Sequence, residues 1–162
     1  MKRVIMGIIL IVTMFTFVGC GSESLEDFAE IHAPEAVARL MDDIDGEATI
    51  TAMHWFSMNY EAQADERFID ARAVMYYVEV IINGEETVVH IDYAIGEDER
   101  GDQEEWDISY SGPFTMFEDF DAMRAALIEM MTDKEALELD SVDMEYDYGT
   151  YSEAQINAWL NE

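Results

Sequence analysis

Three histidines, a single cysteine and a large excess of carboxylates set the chemistry within reach of this chain. His90 and Asp92 are two residues apart, the spacing that places both side chains on one face of a strand. A carboxylate beside an imidazole can tune a general base, or the two can contribute ligands to a metal. His54 falls among alternating apolar residues, the setting of a packed histidine, and His32 stands near Pro34 with no motif around it. Asp98, Asp102 and Glu104 lie in an acidic stretch whose oxygens suit a loosely held hard cation. Asp143, Glu145 and Asp147 alternate like the start of an EF-hand loop, but Tyr148 stands where that loop needs glycine. On a strand such alternation spreads carboxylates about 6.6–7 Å apart, which suits solvent better than one ion.

Other chemistries are missing their residues. The sequence has no Gly-x-Ser-x-Gly elbow, no glycine-rich phosphate loop and no histidine pair at zinc-binding spacing, so no cofactor is expected. Formal charge is −29, and Arg39, Arg67, Arg72, Arg100, Arg124 and Lys134 are scattered, which leaves no basic patch for nucleic acid. The long-range field favours cations, polyamines or a basic protein or peptide. Trp55, Trp106, Tyr110, Tyr146, Tyr148 and Tyr151 sit among carboxylates, a combination that suits Lys and Arg side chains. Half the residues are hydrophobic and 12% are aromatic, so a folded core is expected instead of a disordered acidic tail.

These side chains must be positioned by one α+β domain over residues 25–162, an antiparallel sheet of about five strands with helices packed on one face. Leu25, Phe28 and Ile31, then Val37, Leu40, Met41 and Ile44, recur at helical spacing. Ser24 and Asp27 give a start signal, and Pro34 predicts a break between two short helices, the second closed by Asp45-Gly46. From Ala48 the period becomes two, with Ile50, Ala52, His54 and Phe56 on one side. A turn-rich stretch over 61–66 leads to a second strand, Phe68 to Ile82. Asn83-Gly84 then predicts a two-residue hairpin pairing Ile82 with Glu85, Val78 with Val89, Tyr76 with Ile91 and Tyr77 with His90. Residues 96–105 read as an acidic loop, followed by a fourth strand carrying Trp106, Ile108 and Tyr110, closed by Gly112-Pro113. Thr115 and Glu118 form a capping box before a helix marked by Met116, Phe120, Met123, Leu127 and Met130. Leu137 and Leu139, a bulge near Ser141, and Val142 to Tyr148 read as a fifth strand. Ser152 and Gln155 open a last helix.

The first twenty residues are of another kind. Lys2 and Arg3 precede an almost unbroken apolar run from Val4 to Val18, which as a helix rises about 22 Å, short of the roughly 30 Å hydrocarbon core. That is the shape of a secretory signal. Phe17-Val18-Gly19-Cys20 resembles the lipobox of bacterial lipoproteins, although Phe17 stands where leucine is usual. The resemblance implies cleavage of residues 1–19, a diacylglyceryl group with acyl chains such as palmitate on Cys20, and a short tether over 20–24. Removing residues 1–19 takes away Lys2 and Arg3 but no acid, leaving 6 basic and 37 acidic residues, a charge of −31. After Cys20 no cysteine remains, so the domain is expected to fold without intrachain disulfides.

The expectation is a lipid-anchored protein of the bacterial cell envelope, held at the cell membrane and facing outside the cytoplasm. It acts as a non-enzymatic binding module for a cationic protein or peptide. The alternatives are an extracytoplasmic hydrolase or metal-dependent enzyme built on His90 and Asp92, or a small-molecule carrier.

Overall fold

In a computed structural model, residues 23–65, 67–98, 101–110 and 119–161 are described. They form three helices and a five-stranded antiparallel sheet, so the α+β class expected from the sequence holds. The apolar leader, Cys20, Gly112-Pro113, Met116 and the Thr115–Glu118 pair lie outside the described residues.

Helix α1 covers Leu25–Asp43. The Ser24 hydroxyl accepts from the Asp27 amide, and the Asp27 carboxylate accepts from the Ser24 amide. This is the reciprocal box with Asp in place of the usual Glu or Gln. The helix continues through Pro34, where the sequence predicts a break. A proline inside a helix costs on the order of 3 kcal/mol, and each fully buried Val or Leu returns roughly 1.5–3 kcal/mol. Ala29, Ala33, Ala36, Val37 and Leu40, all essentially inaccessible, fall on the buried side of the helix on both sides of Pro34, so packing outweighs the missing bond.

Strands β1 (Ala48–Ala64), β2 (Arg67–Ile82), β3 (Glu85–Asp98), β4 (Gly101–Tyr110) and β5 (Ser141–Thr150) lie in the order β4-β3-β2-β1-β5. Asn83 and Gly84 both have positive φ, as a primed hairpin turn requires, and every predicted pair between β2 and β3 is present. Both stretches read as loops are largely strand. β1 runs on to Ala64 before the turn at Asp65, and β3 and β4 together take in 96–98 and 101–105. Charged residues on an open sheet face satisfy the ladder as well as apolar ones do, so polarity alone gave a false stop. Leu137 lies in a turn and Leu139 in irregular chain ahead of β5, not within it.

Strict alternation also fails early in β1. Ile50 pairs with Val80 and Ala52 with Glu79, so Thr51 is an extra residue, and its hydroxyl donates to the Glu79 carbonyl at 3.1 Å. This bulge places Ile50 on the face of Met53 and Trp55, opposite to His54 and Phe56.

Helices α1 and α3 (Glu153–Leu160) cover one face, over Met53, Trp55, Val74, Tyr76, Val78, Val89 and Ile91. Helix α2 (Phe120–Thr132) packs its Phe120, Met123 and Leu127 on Phe56 and Tyr77 of the other face. The expectation of helices on one face thus holds for α1 and α3, while the apolar patch around Phe56 and Tyr77 draws α2 to the opposite side.

Lengths now matter. The 19 residues of α1 rise about 28 Å, whereas the 17 residues of β1 extend about 55 Å. One helix cannot cover such a strand from end to end.

Candidate binding site

The start of α1 is fixed partway along the sheet. Arg72 of β2 donates to the carbonyls of Glu23 at 2.7 Å and Ser24 at 2.8 Å, and its guanidinium lies 4.5 Å from the Phe28 ring centroid. Past this level every strand changes character on the α1 face. Trp55 and Ser57 give way to Asn59 and Glu61 in β1, and Tyr76 and Val74 to Arg72 and Asp70 in β2. Tyr93 gives way to Ile95 and Glu97 in β3, and Trp106 to Glu104 and Asp102 in β4.

The registers bring the acids together. Asp143 pairs with Glu61, Glu61 with Asp70, Asp70 with Glu97, and Glu97 with Asp102. One carboxylate from each of the five strands therefore stands in a single row across the sheet. Directly opposite side chains have Cβ atoms about 4.5–5.5 Å apart, and like charges there are destabilising. At 5 Å two unit charges repel by roughly 0.8 kcal/mol even in bulk water. The next rung on the same face holds Glu145, Asn59, Arg72, Ile95 and Glu104. Together the two rungs line an open groove of about 750 Å³ with seven carboxylates and one guanidinium, the latter already engaged with Glu23.

Gly96 lets the strands close up beneath this row. A Cβ there would meet the Asp70 carbonyl and come within 2.6 Å of the Ala71 Cα, so no other residue fits without backbone movement.

The candidates singled out by sequence are dispersed. His90 is 1% exposed and sits edge-on to Tyr77, with ring centroids 5.3 Å apart; burial lowers its pKa below the ordinary value. Asp92 shares its face and stands opposite Asp107. Burial, then the Asp107 charge, pushes the Asp92 carboxyl up to about 6, and its Oδ1 has no hydrogen-bond partner among the described residues. His90 is thus buried and Asp92 half-buried within the sheet. Among the described residues no three His, Cys, Asp or Glu side chains are grouped to hold a metal ion. Of the cation candidates, Asp102 and Glu104 line the groove as successive residues of one strand face. Asp98 pairs with Gly101 at the end of the β3–β4 ladder.

The aromatic candidates do not form one surface. Trp55 is core, 5% exposed and tilted against Tyr151. Trp106 packs on Tyr93 and carries the Arg39 guanidinium 4.7 Å above its ring. The Tyr110 hydroxyl donates to Asp43 at 2.6 Å, and burial with that carboxylate pushes it up to about 12. Tyr146 and Tyr148 are exposed on the α2 face of β5, where Arg124 lies 3.6 Å over the Tyr148 ring.

Glu61, Asp70 and Glu97 were not singled out by sequence reasoning, and Asp143 and Glu145 stood out only as an EF-hand-like alternation. The signal lay in the hairpin register: carried on from Tyr76–Ile91, it pairs Asp70 with Glu97.

No family model, no curated protein and no solved structure matches the chain. Among the described residues no helix is long and apolar enough to cross a membrane.

Proposed function

We propose that this chain is a lipid-anchored, extracytoplasmic binding module whose acidic groove takes a cationic segment of another protein or a basic peptide. The observation that carries the reading is the row Asp143, Glu61, Asp70, Glu97 and Asp102, five like charges set side by side with no base among them. Such a row costs folding energy that an occupant with complementary charge returns. A single small ion fits less well, because strand spacing spreads the carboxylates along a line.

The lipobox-like Phe17-Val18-Gly19-Cys20 supplies the anchor in this reading. Arg72 holds Glu23 at the groove margin, and the three-residue step back to Cys20 spans at most about 11 Å. The groove would then open close to the bilayer surface, within reach of the basic segments that flank membrane spans of other proteins.

Zero-length carboxylate-to-amine crosslinking on native membranes tests the reading. The expected result is lysine-bearing segments joined to Glu61, Asp70, Glu97 or Asp102. Crosslinks confined to other acids of this chain would overturn it.

A further inference from the structure

We infer that the cationic segment docks by adding antiparallel to the outer edge of β5 as a sixth strand with basic residues at alternate positions; this rests on the cationic-partner reading above. β5 is the last strand of the sheet, ten residues long, and the described residues pair it with β1 alone. The Tyr151 amide donates to the Met53 carbonyl at 3.0 Å, which fixes the parity of the ladder. Antiparallel pairs alternate between bonded and non-bonded, so Asp143, Glu145, Asp147 and Gly149 bond inward to β1. Val142, Met144, Tyr146 and Tyr148 therefore turn their amides and carbonyls outward.

One of these outward amides is already met: Tyr148 donates to Oδ1 of the adjacent Asp147 at 2.8 Å. Among the described residues that leaves three amides, of Val142, Met144 and Tyr146, and four carbonyls, of the same three and Tyr148, open to an added strand. Open edges of this length are points of association unless blocked.

Charge selects the occupant. The side chains of an added strand that lie opposite Asp143, Glu145 and Asp147 would share their face, and Asp143 and Glu145 are groove lining. Basic residues there extend the two rungs with the missing sign. Those opposite Met144 and Tyr146 meet an apolar and aromatic surface, with Tyr146 43% exposed. A second copy of this chain is disfavoured, since β5 against β5 would set Glu145 and Asp147 against carboxylates.

The test uses the full chain, held in detergent, and a synthetic peptide alternating Lys with Val or Thr, beside a peptide of equal composition with its lysines in one block. In an antiparallel addition the amides of the intervening residues face β5, while those of the lysines face away. N-methylation of the intervening residues should weaken binding at least about tenfold, the loss of two or more hydrogen bonds, and N-methylation of the lysines should not. Tyr146→Pro, checked for retained folding by circular dichroism, should weaken the alternating peptide alone. If block and alternating peptides bind equally and methylation parity has no effect, edge addition is wrong while electrostatic binding stands. If neither peptide binds, the cationic-partner reading fails and edge addition with it. A concentration-dependent dimer that Tyr146→Pro abolishes would show that a second copy occupies the edge, and would overturn the proposal.

Discussion

Asp70 of β2 and Glu97 of β3 stand directly opposite each other in an antiparallel ladder, with Glu61 and Asp102 on their outer sides. Each of the two has a like charge on both flanks. Replacing Asp70 with Asn should therefore stabilise the free domain by about 0.2–1 kcal/mol in low salt, the range of such cross-strand terms. The gain should shrink toward zero as ionic strength rises and the charges are screened. Urea unfolding of both proteins at two salt concentrations checks this; a variant less stable than the parent at low salt would contradict it.

Gly96 lies one residue before Glu97 and under the Asp70 carbonyl. Gly96→Ala should cost about 1–3 kcal/mol, the usual penalty for forcing atoms into closed packing. The same change at Gly84, where added atoms meet open space but φ is +88°, should cost only the smaller strain of a left-handed residue, about 1–2 kcal/mol. Thermal unfolding of the pair checks the order, and a harmless Gly96→Ala would show that β2 and β3 are not so closely set.

Asp92 predicts a pH dependence. Its ordinary value is 3.8 and its folded value about 6, so between those limits the folded state holds more protons than the unfolded. Stability contributed by this group is complete below pH 3.8 and is lost as pH rises through 6. A difference of that size between the folded and unfolded carboxyl corresponds to about 3 kcal/mol as an upper bound. Asp92→Asn removes the penalty, so its stability relative to the parent should rise across that window, with Asp107 and nearby His90 left in place. Parallel stability curves for the two proteins across and just beyond that window would contradict the assignment.

Local signals in the sequence carried much of the fold. The Asn83-Gly84 turn gave the β2–β3 register pair by pair, and Ser24 and Ser152 with Gln155 marked helix starts that the structure contains. Tertiary packing erased the predicted break at Pro34, and the Thr51 bulge shifted a phase that alternation alone could not reveal. The site stayed hidden for a related reason. Glu61, Glu97 and Asp102 fell in stretches whose polarity reads as loop, yet they belong to strands that outrun the helix covering them. Only the cross-strand registers bring five separate acids into one row. His90 and Asp92, the pair with the clearest chemical spacing, are instead built into the covered part of the sheet.

The proposed lipid anchor makes a separate prediction. Cys20→Ala should abolish incorporation of labelled fatty acid and release the protein from washed membranes. An unlabelled parent, with the Cys20→Ala protein equally membrane-bound, would contradict lipid anchoring without touching the groove.

The central claim is that the acidic row binds a cationic segment, and its most direct measurement is calorimetric titration of a lysine-rich peptide across ionic strength. The parent domain should bind most tightly in low salt and lose affinity steadily as the Debye length falls from about 10 Å at 0.1 M to about 3 Å at 1 M. A domain carrying Asp70→Asn and Glu97→Gln should bind more weakly in low salt and respond less to added salt. Equal affinity of the two domains, or an affinity indifferent to salt, would contradict the claim.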